Sequence, residues 1–306
     1  MRTRFRSRVV GAVLLAFVLV ASACGDDGSG GDLKDGPTIT IGSTNFYEQL
    51  ILGEIYAQVL QANGYSIERQ FNLGPREVVN PALKDGEIDL LVEYTGALLN
   101  FEGGTPTTDN AETYAALQAA LADSGLVALA YAPAEDKDGL VVTADTASSL
   151  GVSAISDLAA YNGTLVFGAS AECPDRAFCL LGYQDVYGLD FANFVPLDSG
   201  GPLTVAALEG GEIDVAALFT SDGAIAAKGF VLLEDDMHLH PAQNIVPVIR
   251  QDIIDAYGEE LVDLLDSVSA AITTAELSEM NKRYNIDAED ADVLARDWLE
   301  QHGFLP

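Results

Sequence analysis

Positive charge is scarce in this chain: Lys and Arg together number 15 among 306 residues, against 47 Asp and Glu, and the formal net charge is −32. Nucleic-acid binding needs clustered cations that displace counterions from phosphates, and docking on anionic lipid headgroups needs a basic patch. We therefore predict no nucleic-acid partner and no charged membrane surface as a docking site. Three cysteines are too few for a disulfide scaffold, so an apolar core must hold a chain of this length, which has room for two domains.

Long apolar runs are lacking too, because the first spans only residues 9–20 and none that follows reaches the roughly 18 residues of a membrane helix. Four Arg precede this run, and the small residues 21–23 lead from it into Cys24. This layout is typical of a bacterial secretory signal with a lipidation site. We predict a signal peptide over residues 1–23, acylation of Cys24 and a flexible Gly-, Asp- and Ser-rich tether over residues 24–36. The alternative is ordinary signal cleavage with Cys24 incidental.

From residue 37 onward, short apolar runs alternate with segments of helical periodicity, which is typical of an α/β fold built from βαβ units. Strands are predicted at residues 38–41, 67–71, 88–93, 126–130, 139–143, 164–167, 194–196, 215–219 and 246–250. Helices are predicted at residues 46–62, 76–84, 111–123, 155–160, 176–187, 203–209, 253–270, 274–284 and 288–302.

A weak internal repeat divides this pattern into two halves. The segment ALKDGEID at residues 82–89 recurs as ALEGGEID at residues 207–214, and the pair Tyr94-Thr95 after the first copy corresponds to Phe219-Thr220 after the second. The alternative is that such glycine turns are merely common in α/β proteins. Because open α/β sheets bind ligands outside the carboxyl ends of their strands, we expect both aromatic–hydroxyl pairs to face one cleft.

Two lobes that face each other predict a periplasmic-binding-protein-like clamshell with a hinge of two crossing strands. We place the first lobe at residues 37–138 together with 247–306, and the second at residues 139–246. The crossings are expected near Asp138 and near residues 243–247. Such a fold closes around a small solute, and we predict that the protein is a monomer.

Histidine is also rare, and no nucleophile–base pair of an enzyme is recognisable in the sequence. Ser199 lies in the segment LDSGGP, which is similar to the surroundings of a trypsin-type nucleophile, but all three histidines follow it, whereas that family needs an upstream base. His238 and His240 have no Cys nearby to complete a metal site. We therefore predict no catalysis, no metal and no cofactor.

Two further features indicate a ligand site. Cys173 and Cys179 are close in sequence, and in an exported protein we predict a disulfide between them, which would fix Arg176 inside the loop. A fixed guanidinium suits a carboxylate, although the alternative is an ordinary surface ion pair. The rings of Tyr94 and Phe219 are predicted to sandwich a planar or cationic ligand.

Five segments carry a family resemblance: IGSTNFYEQ at residues 41–49, GEID through EYTG at 86–96, ISDL at 155–158, TSDG at 220–223 and LEDD at 233–236. Taken in order, they resemble the substrate-binding proteins of osmoprotectant ABC importers, the glycine betaine, choline and carnitine group. The resemblance implies an extracytoplasmic receptor, held to the outer face of the cell membrane by a lipid anchor, that hands its solute to a permease driven by a separate ATPase. The alternatives are a sensory receptor that signals to a membrane partner and a secreted enzyme on the same scaffold.

The resemblance also implies a site in which an aromatic cage holds a trimethylammonium group and a basic residue takes a carboxylate. Tyr94 matches a cage tyrosine, Arg176 matches the carboxylate-binding arginine, and Phe219 keeps a ring without its hydroxyl. Three positions depart from the family pattern: Thr44, where lysine is frequent, and Asp138 and Val205, where tyrosines are usual.

We expect the carboxylate of Asp138 to compensate for the missing ring by attracting a cation. The predicted ligand is therefore a cationic or zwitterionic solute, with choline and ergothioneine-like betaines as candidates. The predicted substrate-binding residues are Ser43, Asn45, Gln49, Tyr94, Thr95, Asp138, Arg176, Phe219 and Thr220.

Overall fold

In residues 33–305, the part of the chain that the computed structural model describes, the strands form two five-stranded sheets. The strands are β1 (Ile39–Gly42), β2 (Ile67–Gln70), β3 (Leu90–Tyr94), β4 (Leu126–Ala128), β5 (Asp138–Val142), β6 (Val166–Ser170), β7 (Asn193–Leu197), β8 (Val215–Phe219), β9 (Val231–Leu232) and β10 (Ile245–Arg250). The predicted signal peptide, the lipidation site at Cys24 and residues 25–32 of the predicted tether lie outside the described residues.

The two sheets share one arrangement. The strand order is β2-β1-β3-β10-β4 in the first sheet and β7-β6-β8-β5-β9 in the second. In each sheet the first three strands run parallel and the fourth runs antiparallel to the third. This architecture confirms the predicted fold class, an α/β protein with two sheets of the periplasmic-binding-protein type.

The internal repeat has a structural cause that is the same in both halves. Gly86 and Gly211 each end a helix in the left-handed conformation, with φ of 77° and 72°, which a side chain would oppose. The aspartate that follows accepts a hydrogen bond from the start of the neighbouring strand, Asp89 from the amide of Thr40 and Asp214 from that of Val166, both at 2.8 Å. The repeated motif therefore ends one helix and aligns the next strand beside its neighbour.

The sheets are flanked by α-helices that bury the apolar faces of the strands. The helices are α1 (Tyr47–Ala62), α2 (Arg76–Asp85), α3 (Thr95–Phe101), α4 (Asn110–Leu121), α5 (Ala144–Leu150), α6 (Leu180–Tyr187), α7 (Pro202–Gly210), α8 (Gly223–Lys228), α9 (Gln251–Tyr257), α10 (Glu259–Ala271), α11 (Thr274–Asn285) and α12 (Ala291–Gln301). Among the described residues, no helix combines the length and the apolar character needed to cross a bilayer.

Most predicted elements are present, and the differences have local causes. The helix predicted at residues 176–187 begins only at Leu180, because Cys179 lies outside helical geometry at the end of the disulfide loop. The helix predicted at residues 253–270 is two helices, α9 and α10, separated by Gly258 with φ of 76°. Residues 155–161 form a 3₁₀ helix, and α3, α5, α8 and β9 were not predicted.

Two segments connect the sheets, one between β4 and β5 and the other between β9 and β10. They lie side by side. The amide of Asp136 donates to the carbonyl of Gln243 at 3.0 Å, and the amide of Ala132 donates to the carbonyl of Ile245 at 2.8 Å. Glu135 and Asn244 form an antiparallel bridge. Paired crossing segments are the geometry expected of a hinge. The lobe boundaries, residues 37–138 with 247–306 for the first lobe and 139–246 for the second, stay a prediction.

Candidate functional site

A cavity lies where the carboxyl ends of β3 and β8 face each other, with about 600 Å³ of unfilled space including its mouth. Ligand pockets in α/β proteins occur at such strand ends. The first half of the chain contributes the turn after β1 and the start of α2, and the second half contributes the disulfide loop. The cavity is lined by Thr44, Asn45, Phe46, Pro75, Arg76, Tyr94, Ala97, Asp136, Asp138, Glu172, Arg176, Ser199, Phe219 and Gln243.

Three aromatic rings form one wall of this cavity. Tyr94 ends β3 and Phe219 ends β8, so the topology brings both rings to the same place. Phe46 lies between them: its ring centroid is 4.3 Å from that of Phe219 and 6.5 Å from that of Tyr94. Ring faces attract cations, and several rings at one site favour a quaternary ammonium group.

Two arginines line the cavity in different states. Arg76 is fixed by Glu93, whose two carboxylate oxygens lie 2.8–3.1 Å from its guanidinium nitrogens, so it already has a carboxylate partner. Arg176 is half-exposed, and its closest carboxylate oxygen belongs to Glu77 on α2, at 3.2 Å. An exposed pair of this kind contributes little, and Arg176 is therefore the arginine that can exchange its partner for a ligand.

The disulfide loop holds Arg176 at the mouth of the cavity. Cys173 and Cys179 are joined by a disulfide in the structure, with their Cα atoms 5.2 Å apart. Both sulfur-bearing residues are buried in the core of the second half. The guanidinium therefore projects from a backbone that the crosslink restrains.

Three carboxyl groups also line the cavity: Asp136 in the segment that crosses between the sheets, Asp138 at the start of β5, and Glu172 just before the disulfide loop. Burial raises the pKa of Asp138, while nearby His240, Arg176 and Arg76 oppose the shift. Burial and the charge of Glu48 raise the pKa of Asp136 well above its ordinary value, although the Ser221 amide donates to one of its oxygens at 3.0 Å. A cationic ligand would relieve the cost of keeping these carboxylates ionised in a partly dry site.

Comparison with known proteins agrees with this geometry. Residues 37–301 match the family model described as the substrate-binding domain of ABC-type glycine betaine transport systems. The chain belongs to this family. The predicted resemblance is thereby confirmed, and so is the expectation of a binding protein in place of an enzyme, since the family consists of extracytoplasmic, non-catalytic substrate-binding components of ABC transporters.

Individual members of the family are moderately similar to this chain in sequence. The glycine betaine-binding protein YehZ of Escherichia coli K12 is 28% identical over 89% of this chain and 93% of its own length. The ergothioneine transport permease/ergothioneine binding protein EgtU of Helicobacter pylori G27 is 26% identical over 84% of this chain, which spans 46% of that protein. The solved structure of a glycine betaine/carnitine/choline ABC transporter protein superimposes with a TM-score of 0.70, at 22% identity, over 88% of this chain and 99% of that chain.

The structure places five of the nine predicted substrate-binding residues at the cavity: Asn45, Tyr94, Asp138, Arg176 and Phe219. Four others lie behind its wall: Ser43, Gln49, Thr95 and Thr220. The hydroxyl of Ser43 accepts from the Asn72 amide at 2.7 Å, that of Thr95 from the Asn244 amide at 3.1 Å, and that of Thr220 from the Lys137 amide at 2.9 Å. These hydroxyls orient the loops around the cavity, and the geometry gives them no ligand-facing position. Val205 is packed in a separate core cluster.

Several cavity residues were not predicted as site residues, above all Phe46, Arg76, Asp136 and Gln243. Phe46 belongs to the segment that carries the family resemblance, but its helical periodicity marked it as the start of α1 and of the core. Ser199 also lines the cavity, whereas the nearby His240 is engaged by Asp235 and Tyr183. Within residues 33–305, no three His, Cys, Asp or Glu side chains are arranged to hold a metal ion.

Proposed function

We propose that this protein is a lipid-anchored receptor that captures a quaternary-ammonium or betaine-like solute in the cavity and delivers it to the permease of an ABC importer. The observation that carries the proposal is the convergence of three rings, three carboxyl groups and Arg176 in one cavity. The relatives in Escherichia coli and Helicobacter pylori, a glycine betaine-binding protein and an ergothioneine-binding protein, support the same ligand class.

The charged and the aromatic groups of the cavity would bind different parts of the solute. Phe46, Tyr94 and Phe219 present ring faces to the ammonium group, and Asp138 adds a full negative charge near it. One carboxylate attracts a cation more strongly than one ring does when both are partly desolvated. Arg176 takes the carboxylate of a zwitterionic solute, which replaces Glu77 as its partner.

Capture follows from the two-lobed architecture. A solute that touches both halves, Tyr94 in the first and Phe219 in the second, binds the closed form better than the open form and shifts the population toward it. Only this closed form would present both lobes together to a permease. The paired crossing segments at residues 132–136 and 243–245 are the expected hinge.

Calorimetry with a panel of solutes tests the ligand class. We expect choline, glycine betaine, carnitine or ergothioneine to bind, and neutral sugars and simple anions not to bind. Asp138→Asn should weaken binding at least about tenfold, because it removes a charge from a site where one charge-assisted contact is worth roughly 1.5–3 kcal/mol. Asp185→Asn, an exposed position on α6 away from the cavity, is the matched control. Binding of sugars or anions alone would contradict the proposal.

The anchor is tested separately. Cys24→Ala should move the protein from the membrane fraction to the soluble fraction of the extracytoplasmic compartment, while leaving solute affinity unchanged. Membrane association that survives the substitution would remove lipidation from the proposal and leave the solute-binding role intact.

A further inference from the structure

A buried hydrogen-bond network connects the cavity wall to the second half of the chain. Its centre is the carboxyl group of Glu48, in the first turn of α1, which is 0% exposed. One oxygen accepts from the hydroxyl of Tyr94 at 2.5 Å. The other accepts from the hydroxyl of Ser221 and from the amide nitrogen of Asn281, both at 2.6 Å. Donors from three separate elements thus converge on one carboxyl group.

Ser221 is the member of this network that belongs to the second sheet. It lies in the turn between β8 and α8, two residues after Phe219, and it is fully buried. Its backbone amide donates to Asp136 in the crossing segment, and its carbonyl and hydroxyl both accept from Asn281 on α11. The position of this turn therefore depends on the hinge and on the first half of the chain together.

Glu48 has no direct role at the solute, because it is not among the residues that line the cavity. Burial raises the pKa of its carboxyl, while the hydrogen bonds from Ser221, Tyr94 and Asn281 oppose the shift. A buried carboxylate is costly unless its oxygens are supplied with donors. Each of the three donors therefore matters more here than it would at the surface.

We propose that Glu48 is a positioning residue that couples the orientation of Tyr94 to the docking of the Ser221 turn, so that the aromatic wall is complete only when the two lobes are together. When Ser221 withdraws, Glu48 loses a donor, water enters to replace it, and the hydroxyl of Tyr94 gains competing partners. The ring is then free to leave the orientation in which its face borders the cavity. The inference rests on the proposed function, since it assigns Glu48 a part in solute capture.

A double-mutant cycle tests this coupling because Tyr94 and Ser221 share Glu48 as partner. Tyr94→Phe keeps the ring and removes its hydrogen bond, and Ser221→Ala removes the other. We expect each variant to weaken binding of the tightest-binding panel solute about fivefold, and the double variant by about the same factor instead of the product of roughly 25-fold. Tyr114→Phe and Ser267→Ala, which remove hydroxyls outside the cavity and the network, are the matched controls.

Glu48→Gln provides the second arm, because it keeps the shape of the side chain and removes its charge. In this background Tyr94→Phe should have no further effect on affinity. A Glu48→Gln protein with the affinity of the wild type, or losses for Tyr94→Phe and Ser221→Ala that multiply, would overturn the inference even though the solute binds and the proposed function stands.

A measurement without solute keeps the two proposals separate. The loss in melting temperature of the Tyr94→Phe, Ser221→Ala double variant should be smaller than the sum of the single losses, and the difference should vanish when Glu48 is Gln. If the wild type binds no solute of the panel, the proposed function fails, and this thermal cycle alone decides the coupling. Additive losses would then refute it.

Discussion

Replacing Phe46 by Leu removes the central ring of the cavity wall while keeping most of its apolar volume. The centroid of the Phe46 ring lies 4.3 Å from that of Phe219, and its side chain is only 6% exposed. A desolvated contact between a cation and a ring contributes about 0.5–2 kcal/mol. We therefore expect the affinity for a quaternary-ammonium solute to fall roughly 2- to 30-fold.

The assay is calorimetry with choline and with its uncharged carbon isostere, 3,3-dimethylbutan-1-ol. If the ring acts through its attraction for charge, Phe46→Leu weakens choline binding much more than binding of the isostere. Phe191→Leu is the matched control, because the partly buried ring of Phe191 stacks at 4.7 Å on Phe167, a core residue of the second half. Both substitutions should lower the free energy of unfolding by about 1 kcal/mol, but only Phe46→Leu should change affinity.

Two results would refute this reasoning. Equal losses for choline and the isostere would mean that Phe46 contributes apolar contact alone. An equal loss of affinity in Phe191→Leu would mean that the effect is transmitted through the fold and does not come from the ring in the cavity.

Three further predictions concern charge. Arg176→Gln should weaken binding of carboxylate-bearing betaines about tenfold while leaving choline within about twofold, measured by calorimetry, because only the former need a guanidinium partner. Asp214→Ala should lower the free energy of unfolding in urea by about 1–3 kcal/mol, because it leaves the partly buried amide of Val166, at the start of β6, without its acceptor. Burial raises the pKa of Asp222 from 3.8 to about 6. Its contribution to stability is thus full below about pH 4 and is lost as the pH rises through about 6, by up to about 3 kcal/mol, and Asp222→Asn should remove most of this loss in urea titrations from pH 4 to 7.

Each of these predictions has a contradicting outcome. A parallel loss of choline and betaine binding in Arg176→Gln would point to general damage to the cavity. An unchanged unfolding midpoint in Asp214→Ala would remove the repeated aspartate from the causes of strand alignment. A pH profile of Asp222→Asn that follows the wild type would assign the loss of stability to other buried carboxyl groups, such as Glu48 or Asp136.

The glycine turns of the repeat could be read from the sequence because their cause is local: a glycine in the left-handed conformation, such as Gly86, ends its helix within one turn. The role of the aspartate three residues later could not, because Asp89 accepts from the amide of Thr40, which lies 49 residues away along the chain. The start of α6 could not be predicted from the sequence pattern, because the crosslink between Cys173 and Cys179, and not the helical periodicity, decides where that helix begins. The break between α9 and α10 had a local signal, Gly258, which the strong periodicity on both sides concealed.

The sequence by itself determined the alternation of strands and helices, the two related halves, the family and the presence of Tyr94 and Phe219 at strand ends. Only the tertiary structure decided which polar residues near those ends face the cavity. Ser43 and Thr95 are turned away from the cavity because their hydroxyls accept hydrogen bonds from distant backbone amides. Phe46 is turned toward the cavity by its contact with Phe219, and Asp136 by its hydrogen bond with Ser221. Such partners lie far apart along the chain, so the direction of a side chain at a turn follows from packing between elements and not from its sequence neighbours.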